Sequence, residues 1–330
     1  MHNTFRYAFG FIFTVMLLAI ILLFTTVVKN PEGYVYYLRP GMSKFEVISE
    51  LHKLGILRLD QEVALGIIAL PGKKTALKTG EYHFKKGATL RSVWYQMKTG
   101  TGLYYRHLTI IPGWTFKQVR TALLKASVLR QLTASLDDKQ LMDKLGHADL
   151  LPEGQFFPDT YNYTRGDTDV TVLKVAFDRM QKKLQQVWNN RSAGLPYKNA
   201  YEALIVASII EREAYLDMER PVIAGVFMNR LASNMPLQVD ATVIYGLGDR
   251  YTGKIYKENL LEDTPFNTYL HRGLPPTPIS MPGFASLEAA THPERNPFYY
   301  YVTKGKGAHE FSATLNAHHA AVEAQKKQGI

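Results

Sequence analysis

From Tyr7 to Val28 the chain runs for twenty-two residues without a charged side chain, rich in Leu, Ile, Phe and Val. A run of that length can span a bilayer as one helix, and this restricts the fold more than any other feature of the sequence. A cleaved signal peptide is the competing reading, but its apolar core is usually roughly 7–15 residues and is followed by a small-x-small site. This run is longer and no such site follows it. The expectation is therefore an uncleaved transmembrane helix over 7–28, with residues 1–6 as a short tail. Charge leaves its orientation open, because Arg6 precedes the run while Lys29, Arg39 and Lys44 follow closely.

The whole chain of 330 residues has room for two domains, and its 46% hydrophobic content and 20 Tyr describe packed globular material. Having no Cys, it excludes a disulfide framework, a thiolate nucleophile, cysteine-ligated zinc and iron–sulfur chemistry. The net charge of +10 is uneven, since residues 29–130 hold seventeen Lys/Arg against six Asp/Glu. Such a region suits acidic headgroups or an anionic polymer, and equally a solvated basic surface. Nucleic acid is not expected, because no helix-turn-helix or RNP-like pattern accompanies the charge.

The same region repeats one pattern three times. Tyr37 to Ser43, Phe84 to Thr89 and Ile110 to Thr115 each read as a short apolar strand, a glycine turn and a helix cap. Ser43, Thr89 and Thr115 stand where a hydroxyl would take a free helical N–H. Val47 and Leu51, Val93 and Met97, and Val119 and Leu123 then recur at the four-residue spacing of one buried face. Lys53-Leu54-Gly55 and Lys98-Thr99-Gly100 read as C-terminal stops. These strand–helix units resemble LysM-type glycan-binding modules, with a plain spacer as the alternative.

A helical stretch is expected around 116–147, followed by a turn-rich segment that carries Glu153 and Asp159. The domain boundary is placed at 140/141, giving a membrane-proximal region over 29–140 and a second domain over 141–330. An amphipathic helix is expected over 170–188. Next comes Ala200–Ala214, apolar on every side and capped by Asn199, which marks a helix sunk in a core. Glu211 and Glu213 end it. Residues two apart on a helix differ by about 200° in direction, so one is the working acid and the other a structural partner. Burial raises a carboxyl pKa, which suits a general acid. By itself Glu-x-Glu is weak evidence and fits surface salt bridging better.

Its company argues for chemistry. Asn229-Arg230, Gln238 to Gly246, Phe266 to Tyr269, Gly273 to Pro278 and His309-Glu310 lie in loops dense in Asn, Gln, Tyr and Pro, side chains that bind sugar hydroxyls. Asp240 is a possible second carboxylate, or a brace for the Thr242–Tyr245 turn. No metal site is expected, since His318 and His319 are adjacent and lack a ligand-spaced partner. Ser208 has no nearby His and Asp.

Taken together, "ASIIEREA", "FMNRL", "LQVDATVIYGLG", "FNTYLHRGLPPTPISMPG", "AATHP", "YYYV", "GKGAHEFSATLNAHH" and "EGQFFPDTY" resemble the MltG (YceG-like) family of endolytic murein transglycosylases over essentially the whole chain. The resemblance implies an α+β fold: an N-terminal membrane helix, LysM-like modules and a mixed α+β catalytic domain. It also implies a single-pass protein of the inner membrane with residues 1–6 in the cytoplasm and the catalytic domain in the periplasm. No cofactor is implied. The substrate would be peptidoglycan glycan strands and the partners peptidoglycan synthases (penicillin-binding proteins). Glu213 matches the family's catalytic glutamate, although Ala214 follows it where other lytic transglycosylases have Ser. Gln238, Asp240, Thr242, Tyr245, Asn267, Tyr269 and His309 become candidates for substrate binding, and Glu211, Glu153 and Asp159 for support. A two-carboxylate hydrolase using Glu213 with Asp240, and a glycan-binding scaffold with inert acids, stay open.

Overall fold

The computed structural model describes residues 2–58 and 77–327. These form two compact units, one of residues 2–58, 77–107, 127–130 and 162–168, the other of 108–126, 131–161 and 169–327. The division thus falls at His107/Leu108, and the third strand–turn–helix repeat belongs to the second unit.

The first unit begins with helix α1 (His2–Leu23). The expected helix over 7–28 is cut short, because Thr25 to Val28 are drawn into the protein. Val27 and Val28 are buried, their N–H groups donate to Ala88 O at 2.9 and 3.3 Å, and Thr26 bridges to Thr89. Only the stretch Tyr7–Leu23 is both helical and uncharged, about 26 Å at 1.5 Å per residue. Among the described residues no helix is long and apolar enough to cross a membrane.

Beyond it come strand β1 (Tyr34–Leu38), helix α2 (Lys44–Lys53), strand β2 (Gly80–Phe84) and helix α3 (Leu90–Thr99). The strands pair antiparallel with Tyr36 opposite Tyr82. Val47, Leu51, Val93 and Met97, the positions picked by spacing, are completely buried in this unit's core. Each contributes about 1.5–3 kcal/mol through burial. Ser43 caps α2 in a reciprocal pair with Glu46, and Thr89 caps α3 by accepting the Ser92 N–H. Gly100 ends α3 at φ 81°, a left-handed conformation that favours glycine. Glu81, buried, is held by Arg106 and Arg165, which fastens the 162–168 segment to this unit.

Strand β3 (Arg106–Thr109) later pairs with β4 (Thr160–Tyr163). In the second unit the expected helical stretch over 116–147 is two helices, α4 (Phe116–Lys125) and α5 (Asp138–Leu145), the latter started by an Asp137–Gln140 capping box. At Thr115 the hydroxyl takes no helical N–H. Instead Gln118 Oε1 reaches back to the Thr115 N–H at 2.9 Å, and the Phe116 N–H goes to Glu153. The Phe116 ring stacks on Phe156 with centroids 5.2 Å apart, which draws α4 into the core of this unit.

The central helices are α6 (Asp169–Asn189), α7 (Ala200–Glu213) and α8 (Arg220–Ala232), and α9 (Asp240–Leu247) and the single turn α10 (Lys257–Leu260) follow. Helix α11 (Phe284–Thr291), a β5–β6 hairpin (Tyr300–Gly305, Ala308–Ser312) and α12 (Leu315–Lys327) complete the unit. Helix α7 is the axis of the core. Asn199 caps it by accepting the Glu202 N–H, and every residue from Ala203 to Ile210 is buried. Ser208 is used up structurally: its hydroxyl donates to Ile205 O and accepts the Ile279 N–H, while its own carbonyl accepts from Ser280.

Candidate active site

Buried α7 delivers two carboxylates at its last turn, and they face different neighbours. Glu211 is an anchor. Its Oε2 accepts the Gly283 N–H and the Ser286 hydroxyl, both at 2.8 Å, and its Oε1 lies 3.4 Å from the Arg220 guanidinium. The carboxylate therefore joins the ends of α7, α8 and α11.

Glu213, the final residue of α7, turns toward the hairpin and α9. Tyr301, on β5, donates its hydroxyl to Glu213 Oε2 at 2.8 Å, and the Ala241 N–H at the start of α9 also points at the carboxyl. Burial is the largest influence on this group and pushes its pKa up, and the nearby negative charge of Asp240 pushes the same way. Tyr301, His309 and the Ala241 N–H pull it down without overcoming burial. The C-terminal end of a helix, where Glu213 sits, is also unfavourable for an anion. A carboxyl in these surroundings holds its proton to higher pH than a free carboxyl does.

Asp240 opens α9, and its Oδ1 accepts the Tyr269 hydroxyl at 2.6 Å. It neither caps α9 nor braces the following turn through its side chain; Val239 is the capping position, and the Thr242 hydroxyl donates to Val239 O. Thr242 and Asn267 are completely buried. Thr242 meets the Thr268 hydroxyl, and Asn267 gives both amide protons to Leu260 O and Glu262 O and accepts the Tyr269 N–H. Neither can touch a glycan: they are latches that orient Asp240 and Tyr269. Gln238 is exposed at φ 53° and is held through Arg230, whose guanidinium donates to Gln238 Oε1 at 3.1 Å.

Arg230 and Asn229 explain how Tyr301 reaches Glu213. Asn229 donates to Asn296 O and Phe298 O, and Arg230 to Tyr299 O, Pro236 O and Leu237 O. The pair thus clamps the segment leading into β5. His309, on β6, is held by Glu219 and sits edge-on to Tyr301. Sequence reasoning missed Tyr301 and Glu219; the signals available were the run of three tyrosines and the Glu-Arg pair at the start of α8.

Beside this group lies a cleft of about 720 Å³ whose walls include Phe116, Arg120, Glu153, Arg212, Ala241 and Tyr245. Glu153 is buried, takes the Phe116 N–H on both oxygens and accepts the Tyr245 hydroxyl at 3.0 Å. Burial raises its pKa to about 7, against the pull of those hydrogen bonds. Tyr245 is thus committed to Glu153. Asp159 is paired with Arg179 and takes no part in the group around Glu213.

The YceG-like family matches residues 36–324 of this chain. A curated relative, the endolytic murein transglycosylase of Bacillus subtilis, is 31% identical over 268 residues, covering 76% of this chain and 73% of its own length. The endolytic murein transglycosylase of Streptococcus pneumoniae is 26% identical over 313 residues, 84% of this chain and 56% of the relative. A crystal structure of a YceG-like protein of Listeria monocytogenes superposes with a TM-score of 0.55 at 25% identity, covering 88% of this chain and 99% of that one. With a match that runs through all three strand–helix repeats and the whole of the Glu213 group, this chain belongs to the YceG-like family.

Proposed function

We propose that this chain is an endolytic lytic transglycosylase of peptidoglycan, with Glu213 as its single acid–base residue. One observation carries the reading: a carboxyl at the end of a buried helix, its pKa raised by burial, held by a tyrosine hydroxyl and a backbone N–H. A protonated Glu213 donates to the oxygen between MurNAc and GlcNAc as the C1–O bond breaks, and an oxocarbenium-like centre develops at MurNAc C1. The resulting carboxylate takes the proton of the MurNAc C6 hydroxyl while O6 bonds to C1. This closes a 1,6-anhydro ring, returns the proton to Glu213 and consumes no water. Asp240 and Tyr269, linked at 2.6 Å, offer a negative and a polar group to the developing cation and the sugar.

The strand–helix modules of the first unit serve in this reading as LysM-like binders of the same glycan, and α1 holds the protein at the inner membrane, with the rest in the periplasm beside the synthases that make the strands. Phe9, Phe11, Phe13, Leu17 and Ile21 of α1 are exposed and have no protein cover, which suits lipid. A helix shorter than the hydrocarbon layer is accommodated by local thinning and by flanking residues that reach the interface.

The test is mass spectrometry of the sugar ends released from uncross-linked glycan strands by the full chain in detergent, beside Glu213→Gln. Anhydro-MurNAc ends that disappear in the variant are expected. Reducing MurNAc ends would promote Asp240 and a two-carboxylate hydrolase, and no new ends would leave a binding scaffold. Alkaline carbonate extraction of membranes tests α1; release of the protein into the supernatant would overturn the anchor.

A further inference from the structure

Glu219 closes the short 3-10 turn Asp217–Glu219 before α8 and is 9% exposed. Its carboxylate grips one residue at two points: Oε1 accepts the backbone N–H of His309 at 2.9 Å, and Oε2 meets His309 Nδ1 at 2.7 Å. An ionised carboxylate has no proton to give, so Nδ1 carries the hydrogen, and whenever the ring is neutral its lone pair stands on Nε2. The hairpin register places Tyr301 opposite Phe311 and Thr303 opposite His309. The His309 ring therefore lies diagonal to Tyr301, edge-on at 84° with centroids 5.3 Å apart. Tyr301 in turn donates its hydroxyl to Glu213 Oε2 at 2.8 Å. A surface ion pair would leave the imidazole free to turn. Here the backbone and one ring nitrogen are fixed by the same carboxylate, which leaves the second nitrogen as the ring's only open polar atom.

We propose that Glu219 is a positioning residue for the reaction at Glu213: by fixing the Nδ1–H tautomer of His309 it presents Nε2 as an acceptor to a hydroxyl of the reacting sugar. The inference rests on the transglycosylase reading and adds to it the group that orients the sugar hydroxyl.

Glu219→Gln tests it in the full chain. The amide oxygen still accepts the His309 N–H, and the amide nitrogen then faces Nδ1. A donor there moves the ring proton to Nε2 and removes the acceptor. The expected result is a fall in kcat of about a hundredfold with KM within about twofold, on the scale of a misplaced acid–base partner. Nitrogen NMR shifts of His309 should exchange between its two ring positions. In a His309→Ala background Glu219→Gln should change kcat no further. Unchanged kcat, an unchanged nitrogen signature, or a loss that persists undiminished without His309 would each overturn the proposal. A wild-type chain that releases no anhydro ends refutes the transglycosylase reading itself, and this inference with it.

Discussion

Replacing Glu211 and Glu213 by Gln, one at a time, separates architecture from chemistry within a single helical turn. The side chain of Glu211 is 7% exposed, and its Arg220 partner is 12% exposed. In Glu211→Gln the one remaining oxygen serves Gly283 and Ser286, and the new amide donors then face a guanidinium. Removing one partner of a buried ion pair costs about 3–5 kcal/mol. Exposed Asp217, 3.0 Å from Arg220 Nε, keeps some of that charge compensated, so the lower end, about 3 kcal/mol, is the working figure. For a unit of this size about 2–4 °C accompany each kcal/mol, so the thermal midpoint should fall by about 6–12 °C. Calorimetry of the full chain at pH 7, with turnover measured at 25 °C, reads both quantities. Glu211→Gln should keep most of its turnover. Glu213→Gln should lose turnover and melt no lower than wild type, since an acid whose folded pKa is raised weakens the fold once pH rises through that pKa. Lost turnover with unchanged melting in Glu211→Gln would refute the division of labour.

The remaining predictions concern the groups around that turn. Glu153 has a folded pKa of about 7 against an ordinary 4.5, so its contribution to stability is complete below about pH 4.5 and is lost as pH rises to 7. Denaturant titrations should show Glu153→Gln gaining about 3 kcal/mol on wild type between pH 4.5 and 8, and a gap that does not change with pH would contradict the burial argument. Tyr301→Phe removes a hydrogen bond that holds the Glu213 pKa down, so the alkaline limb of the pH–kcat profile should move upward; a downward shift would rule out Glu213 as the acid. Arg230→Lys cannot reproduce four acceptor contacts with one ammonium and should cost about 2–4 kcal/mol, with lower kcat as the β5 segment loosens, measured by melting and turnover together.

Helices with strong periodicity were the most legible elements. Spacing alone identifies Val47, Leu51, Val93, Met97, Val119 and Leu123 as core, and the expectation of α7 with its Asn199 cap differs from the helix by one residue. Boundaries set by tertiary contact were not legible. Helix α1 stops before Phe24 because Val27 and Val28 have somewhere better to go, and between α4 and α5 the Leu132 and Thr133 N–H groups go to the distant Asp169 carboxylate rather than into a helix. At the site, two glutamates two apart on one helix could be separated by direction, but Gly283, Ser286 and Tyr301, which hydrogen-bond them, come from 72, 75 and 88 positions away. Thr242 and Asn267 look like sugar ligands because amides and hydroxyls in loops do, and only burial reveals that they serve the backbone. Tyr301 was hidden among three consecutive tyrosines, and the strand register that distinguishes them is a property of the hairpin rather than of the tripeptide.

The manner in which α1 ends has a mechanical consequence. Between Leu23 and the rest of the first unit there is no slack: the Leu90 N–H donates to Thr25 O at 3.1 Å, the Gly87 N–H to Val28 O at 2.9 Å, and Arg91 lies over the Phe24 ring. A flexible linker would let the unit wander over a radius that grows with the square root of its length. A helix stitched directly into the fold behaves as a stem instead, so any surface that grips α1 also sets the height and tilt of the β1–β2 strand pair. Inserting a few Gly-Ser residues after Leu23 would turn that stem into a leash without touching a single group at Glu213.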